Sequence, residues 1–138
     1  MAEAAHATVV ERDQVPVMFK RVSDDQPAIS QGWAELEAAV GSLRRRKFYG
    51  VVDKPRGEYK ACVLMREGDH PAELGLETGT IPGGRYARVR LNGEPPMVYG
   101  RIAPTFKKFA GRPDRDPSRP EIEFYRRRDV IDLLLPVT

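Results

Sequence analysis

Apolar residues recur along this chain with two different periods, and the switches between them divide it into strands and helices. Val15, Val17 and Phe19 alternate within Val9 to Val22, which predicts a strand entered through Pro16. Ser23 to Pro27 reads as a turn. Trp33, Leu36, Val40 and Leu43 then recur at i, i+3, i+7 and i+10, the stripe of an amphipathic helix. That helix is predicted over 31–45, with Ser30 as its cap and some cost at Gly41. Strands follow at Lys47 to Asp53 and Tyr59 to Arg66, joined by the turn Lys54-Pro55-Arg56-Gly57. Leu74 to Ile81 reads as extended. Pro82-Gly83-Gly84 reads as a turn or bulge with glycine at positive φ, and Arg85 to Leu91 as the next strand. A second helical stripe runs through Tyr99, Ile102, Phe106 and Phe109. Pro104 interrupts it, so this helix either kinks there or starts just before Pro104 and is short. Gly111 to Pro120 is a loop of Pro, Asp and Arg, and Glu121 to Arg127 with Val130 to Val137 form a last pair of strands.

The order strand, helix, strand, strand thus occurs twice, over about 14–66 and 85–137. The two helical stripes match position for position. Phe19-Lys20-Arg21-Val22 echoes Tyr86-Ala87-Arg88-Val89, and Phe48-Tyr49 is matched with Phe124-Tyr125. A duplicated βαββ unit predicts an α+β domain: an antiparallel sheet, two helices packed on it, and a central ligand cleft between the related halves.

Composition adds little direction. The chain has 138 residues, 41% hydrophobic and 31% charged, with 12 Gly and 12 Pro, as expected for one globular domain with many turns. A net charge of +3, from 23 basic and 20 acidic residues, is a weak excess. The basic runs are Arg44-Arg45-Arg46-Lys47, at a predicted helix C-terminus that favours cations, and Arg126-Arg127-Arg128, at a predicted hairpin turn. No DNA-reading motif stands beside either run, so specific duplex binding by this chain alone is not expected. Cys62, the one cysteine, forms no internal disulfide, and its place in an alternating strand makes it a small core residue. His6 and His70 have no metal-ligand spacing, and no metal or cofactor is expected. With no apolar run of membrane length and no secretory leader pattern, no membrane association is expected and the cytoplasm is the default compartment.

The chemistry concentrates in Ile122-Glu123-Phe124-Tyr125. Alternation along a strand puts Glu123 and Tyr125 on one face, Ile122 and Phe124 on the other. Facing inward, a carboxylate and a phenol would line a cavity suited to a cationic aromatic ligand or to acid–base chemistry. Facing outward, the same strand Glu would simply be solvated, its commoner fate.

Five stretches together resemble the GyrI-like small-molecule-binding domain, the SOUL-like effector-binding module of multidrug-sensing and AraC-type regulators. They are Phe48-Tyr49-Gly50-Val51-Val52 with Tyr59-Lys60-Ala61-Cys62-Val63, Ile81-Pro82-Gly83-Gly84-Arg85-Tyr86-Ala87, Asn92-Gly93, Ile122-Glu123-Phe124-Tyr125, and Leu133-Leu134-Leu135-Pro136-Val137. The resemblance spans 14–138 and leaves 1–13 as an N-terminal tail, too short for a fused DNA-binding domain, so a stand-alone member is expected. It implies that Glu123 is the inward carboxylate that meets a lipophilic cation. Aromatic and flexible walls come from Trp33, Tyr49, Tyr59, Met65, Tyr99, Phe106 and Tyr125. For the helical members of that set, plain core packing competes with ligand contact. Phe109 stands where the family's second helix commonly ends in Trp, and Pro104 lies within that helix. Two other functions accompany the resemblance: hydrolysis of reactive electrophilic natural products by the same Glu, as in some stand-alone relatives, and a gyrase-inhibitor-like role that docks on a protein partner.

Overall fold

In a computed structural model the described residues are 7–138, and they form an α+β protein whose eight strands and two helices fall into two compact units. One unit is Gln14–Pro82; the other joins Gly83–Thr138 to the described residues before Gln14. His6 and the residues before it lie outside the described residues.

The Gln14–Pro82 unit holds β2 (Val15–Ser23), α1 (Gln26–Val40), β3 (Phe48–Asp53), β4 (Glu58–Leu64) and β5 (Glu77–Ile81). Its antiparallel strands run in the order β3-β4-β2-β5. In register, Met18 lies beside Val63 and Val63 beside Phe48, so these three share a face with Val22, Tyr59, Ala61 and Val52. That face packs on Leu36, Trp33, Ile29 and Val40 of α1, with Leu76 completing the buried cluster. Gly32 permits the close approach: a Cβ there would stand 2.9 Å from Val22 Cγ1.

The second unit is built the same way from β6 (Gly84–Asn92), α2 (Ile102–Phe109), β7 (Glu121–Arg127) and β8 (Val130–Pro136), with β1 (Thr8–Arg12) added beside β6. Its order is β1-β6-β8-β7. Ala87, Val89, Leu91, Ile131, Leu133, Leu135 and Val137 pack beneath Val98, Phe106 and Phe109.

The duplicated βαββ pattern is therefore present, with one addition. Each copy carries a fourth strand beside its first, and in each case that strand precedes the other copy in sequence: β1 precedes β2 but pairs with β6, and β5 precedes β6 but pairs with β2. Thr8–Arg12, expected within a tail over 1–13, is instead this added strand. The strand expected to be entered through Pro16 is β2, Val15–Ser23, and Asp13-Gln14 separates it from β1.

Two other expectations change. The first helix spans Gln26–Val40 rather than 31–45, because Asp25, not Ser30, is its N-cap: Asp25 Oδ1 accepts from Ala28 N at 3.0 Å, and Pro27 occupies the first turn, where its missing N–H costs nothing. The supposed turn over Ser23 to Pro27 is this start signal. Gly41, at φ 79°, ends the helix, so Leu43 falls outside it and is exposed. The second helix takes the short alternative: Tyr99 belongs to a 3-10 segment, Met97–Arg101, and α2 begins two residues before Pro104. Cys62 is buried, as expected. Among the described residues no helix is long and apolar enough to cross a membrane.

The segment between α1 and β3 is fastened by a buried ion pair. Arg46 Nη1 and Nη2 donate to both carboxylate oxygens of Asp69 at 2.8 and 2.7 Å, and the side chains are 6% and 9% exposed. The Arg46 guanidinium, helped by a bond from Arg66 N, holds the Asp69 carboxyl down at about 2. A folded value below the unfolded one gives stability that is present above about pH 4 and is lost as pH falls toward 2, worth about 2 kcal/mol. Asp69→Asn is therefore expected to be less stable than wild type at pH 7, and the gap is expected to narrow by about 2 kcal/mol on acidification to pH 2, in urea titrations of both proteins across that range.

Candidate functional site

The chemistry of the second unit lies along β7. Glu121, Glu123 and Tyr125 alternate onto one face of this strand, and Glu123 stands beside Leu133, which belongs to the helix-covered cluster. Both carboxylates are buried: Glu121 is 3% exposed and Glu123 6%. A strand Glu facing water is thus not what this chain builds. Ile122 and Phe124, on the other face, are buried too, so β7 is covered on both sides and its apolar–polar alternation says nothing about which face is wet.

Buried carboxylates need donors, because desolvation of an ion costs several kcal/mol unless it is offset. For Glu123 one donor is local: the Tyr125 hydroxyl donates to Oε1 at 2.6 Å, the length of a charge-assisted bond. Tyr125 is half-buried, packs on the α2 cluster, and meets the edge of the Tyr99 ring at 6.3 Å between centroids. Tyr99 itself is 46% exposed. For Glu121 a donor comes from the preceding loop: Arg115 Nη2 donates to Oε2 at 3.2 Å. Arg115 comes from the 111–120 loop, which is stitched to the end of β8 by Asp116 N to Pro136 O and Thr138 N to Asp114 O. Arg119 secures the same loop. Its guanidinium donates to Gly83 O, Arg85 O and Val137 O, and lies 4.9 Å from the centre of the Tyr86 ring.

On the opposite face Asp132, fully buried, accepts from Arg90 at 2.7 and 3.1 Å and has Arg126 at 3.6 Å. Arg12 and Arg126 stand 5.0 and 5.8 Å from the centre of the Phe124 ring. The carboxylate on this face is matched by its own arginines and was not among the residues singled out from sequence.

The remaining expected wall residues separate into groups. Phe106 is buried and stacks on Phe109 at 5.6 Å, a core position under α2. In the Gln14–Pro82 unit, Trp33 Nε1 donates to the Tyr59 hydroxyl at 3.2 Å, and both Tyr59 and Phe48 meet the indole edge-on, at 6.3 and 6.1 Å. Met65 packs on the same cluster. Tyr49 does not. It pairs with Cys62 in register and so lies on the other face of its sheet, away from Trp33 and Tyr59; Phe48 is the aromatic that joins them.

Register also corrects the internal repeat. The ladder of Val17–Ser23 against Leu64–Glu58 matches that of Tyr86–Asn92 against Pro136–Val130, so Lys20, Ala61 and Gly50, paired in turn, match Val89, Leu133 and Glu123. Gly50, not the Phe48-Tyr49 pair, therefore occupies the place of Glu123, Val52 that of Tyr125, and only the second copy carries the carboxylate row. Sequence reasoning missed Glu121, Arg115 and Phe48. Glu121 shared the parity of Glu123 and was open to discovery; Arg115 sits in a loop without periodicity and was not.

The Tyr125–Glu123 bond predicts a measurable coupling. Tyr125→Phe is expected to cost about 1–3 kcal/mol in chemical denaturation, as for a bond to a charged group, and clearly less in a Glu123→Met background, where no carboxylate is left wanting its donor.

No protein-family model and no curated protein sequence matches the chain. Solved structures do. An integron cassette protein from the mobile metagenome of Vibrio cholerae has a TM-score of 0.74 at 17% identity, over 96% of this chain and 95% of that one. SAV2435, solved bound to tetraphenylphosphonium, has a TM-score of 0.61 at 12% identity, over 96% and 94%. The C-terminal domain of EcmrR has a TM-score of 0.57 at 13% identity, over 96% and 97%. The α+β fold expected from the duplicated βαββ pattern is the fold that this chain shares with these structures, in keeping with the resemblance to GyrI-like domains.

Proposed function

We propose that this chain is a small-molecule-binding domain for a lipophilic cation, with Glu123 as the carboxylate that meets the positive charge. The observation that carries this reading is a glutamate only 6% exposed whose Oε1 accepts from a neighbouring phenol at 2.6 Å. Such a carboxylate is already desolvated, so an arriving cation gains a full charge interaction without stripping water from its partner. An inorganic ion would lose its hydration shell there with little return, whereas a phosphonium or a delocalised dye, weakly hydrated and apolar at its periphery, loses far less. Tyr125 and the half-exposed Tyr99 offer ring faces, each worth about 0.5–2 kcal/mol against a cation. The tetraphenylphosphonium bound to a protein of the same fold supports the choice of ligand class.

The Trp33–Tyr59–Phe48 cluster with Met65 is a second aromatic group, held together by its own hydrogen bond and edge contacts. We assign it no ion pairing with the ligand, since none of its members carries a charge. It is the control surface for the experiment below.

Tetraphenylphosphonium and rhodamine are expected to bind in isothermal titration or fluorescence titration. Glu123→Gln is expected to weaken both at least tenfold, about 1.4 kcal/mol, and Trp33→Phe is expected to leave the charge dependence intact. Equal affinities for wild type and Glu123→Gln would defeat the assignment. Consumption of a reactive electrophile by wild type, lost in Glu123→Gln, would move the same residue from recognition to catalysis, as hydrolases built on this resemblance would have it.

A further inference from the structure

We propose, resting on the cation-binding reading above, that Arg115 fixes the charge of the ligand: by holding Glu121 it fits the β7 row to a lipophilic cation with one positive charge rather than two.

Glu121 and Glu123 are alternate residues of one strand face, about 6–7 Å apart along it, and both are buried. Two carboxylates at that spacing would by themselves suit an elongated dication. Arg115 supplies a guanidinium to one of them from within the chain. Its position is preorganised, since the loop that carries it is tied to β8 through Asp116 and Thr138 and to the start of β6 through Arg119. Arg115 Nη1 also donates to Ala110 O at 3.4 Å, at the end of α2.

The pair differs from the ion pairs that fasten this fold. Arg46–Asp69 and Arg90–Asp132 are two-pronged, with both carboxylate oxygens bound between 2.7 and 3.1 Å. Arg115 meets Glu121 through a single contact at 3.2 Å. A guanidinium seated this way supplies charge more than it supplies a lock. Ligand discrimination by charge then follows from repulsion: a second positive centre approaching Glu121 meets Arg115 first.

The test compares tetraphenylphosphonium with a xylylene-bridged bis(triphenylphosphonium) by isothermal titration on four proteins: wild type, Arg115→Gln, Arg115→Lys, and Arg115→Gln combined with Glu121→Gln. Wild type is expected to prefer the monocation. Arg115→Gln is expected to shift the ratio of the two Kd values at least tenfold toward the dication. Arg115→Lys and the double variant, which keep the charge count of wild type, are expected to retain its ratio. An unchanged ratio in folded Arg115→Gln that still binds tetraphenylphosphonium overturns the role of Arg115 and leaves the cation-binding reading standing. Should Arg115→Gln not fold by circular dichroism, Glu121→Gln decides: an affinity for tetraphenylphosphonium at least tenfold lower supports the proposal, and an unchanged one overturns it. Wild type that prefers the dication overturns the proposal alone; wild type that binds neither cation overturns both readings.

Discussion

A carboxylate buried in a sheet must find hydrogen-bond donors, and much of the second unit is arranged by that requirement. Glu123 takes one from Tyr125, two residues along the same strand. Glu121 takes one from Arg115, brought in by a loop whose other contacts have no connection to charge neutralisation at β7. Without such donors each glutamate would cost several kcal/mol and favour a protonated or unfolded alternative. With them, the strand keeps a row of polar groups beside the apolar cluster under α2, each met by a donor that the protein itself supplies.

The two copies of the βαββ unit use the same frame for different ends. Each lays a helix on one face of its sheet, and each has its first strand flanked by the strand that precedes the other copy. At register-equivalent places one copy has Gly50 and Val52 and the other Glu123 and Tyr125. In the first copy that face is closed by aromatic edges, with Trp33 against Phe48 and Tyr59. In the second it carries acids. A symmetric backbone thus carries an asymmetric chemistry, because the apolar core needs only the period of the side chains while the site needs particular ones.

Much of the fold was legible along the chain. Alternation located the strands, and the Gly and Pro clusters located most turns. Errors arose where two signals share residues. Asp25-Gln26-Pro27 is turn-like in composition and is also a helix start, and only the bond from Ala28 N to the Asp25 carboxylate decides between them. The added strand β1 was invisible as such, since five residues with two adjacent valines acquire meaning only beside β6.

For the site, strand parity by itself placed Glu123 with Tyr125 on one face, which is local geometry and follows from the pleat. It could not say that the face is buried, since both faces of β7 are covered and periodicity reports a contrast between faces, not the depth of either. Nor could it choose Phe48 over Tyr49, because adjacent aromatics differ only in which side of the sheet the helix lies. Arg115 was beyond reach for a plainer reason: its partner is six residues away across an irregular loop, and no repeat in the chain encodes that distance. Sequence determined which residues share a face; tertiary packing decided which face is buried and which donors come to meet it, because burial depends on elements that approach from elsewhere in the chain.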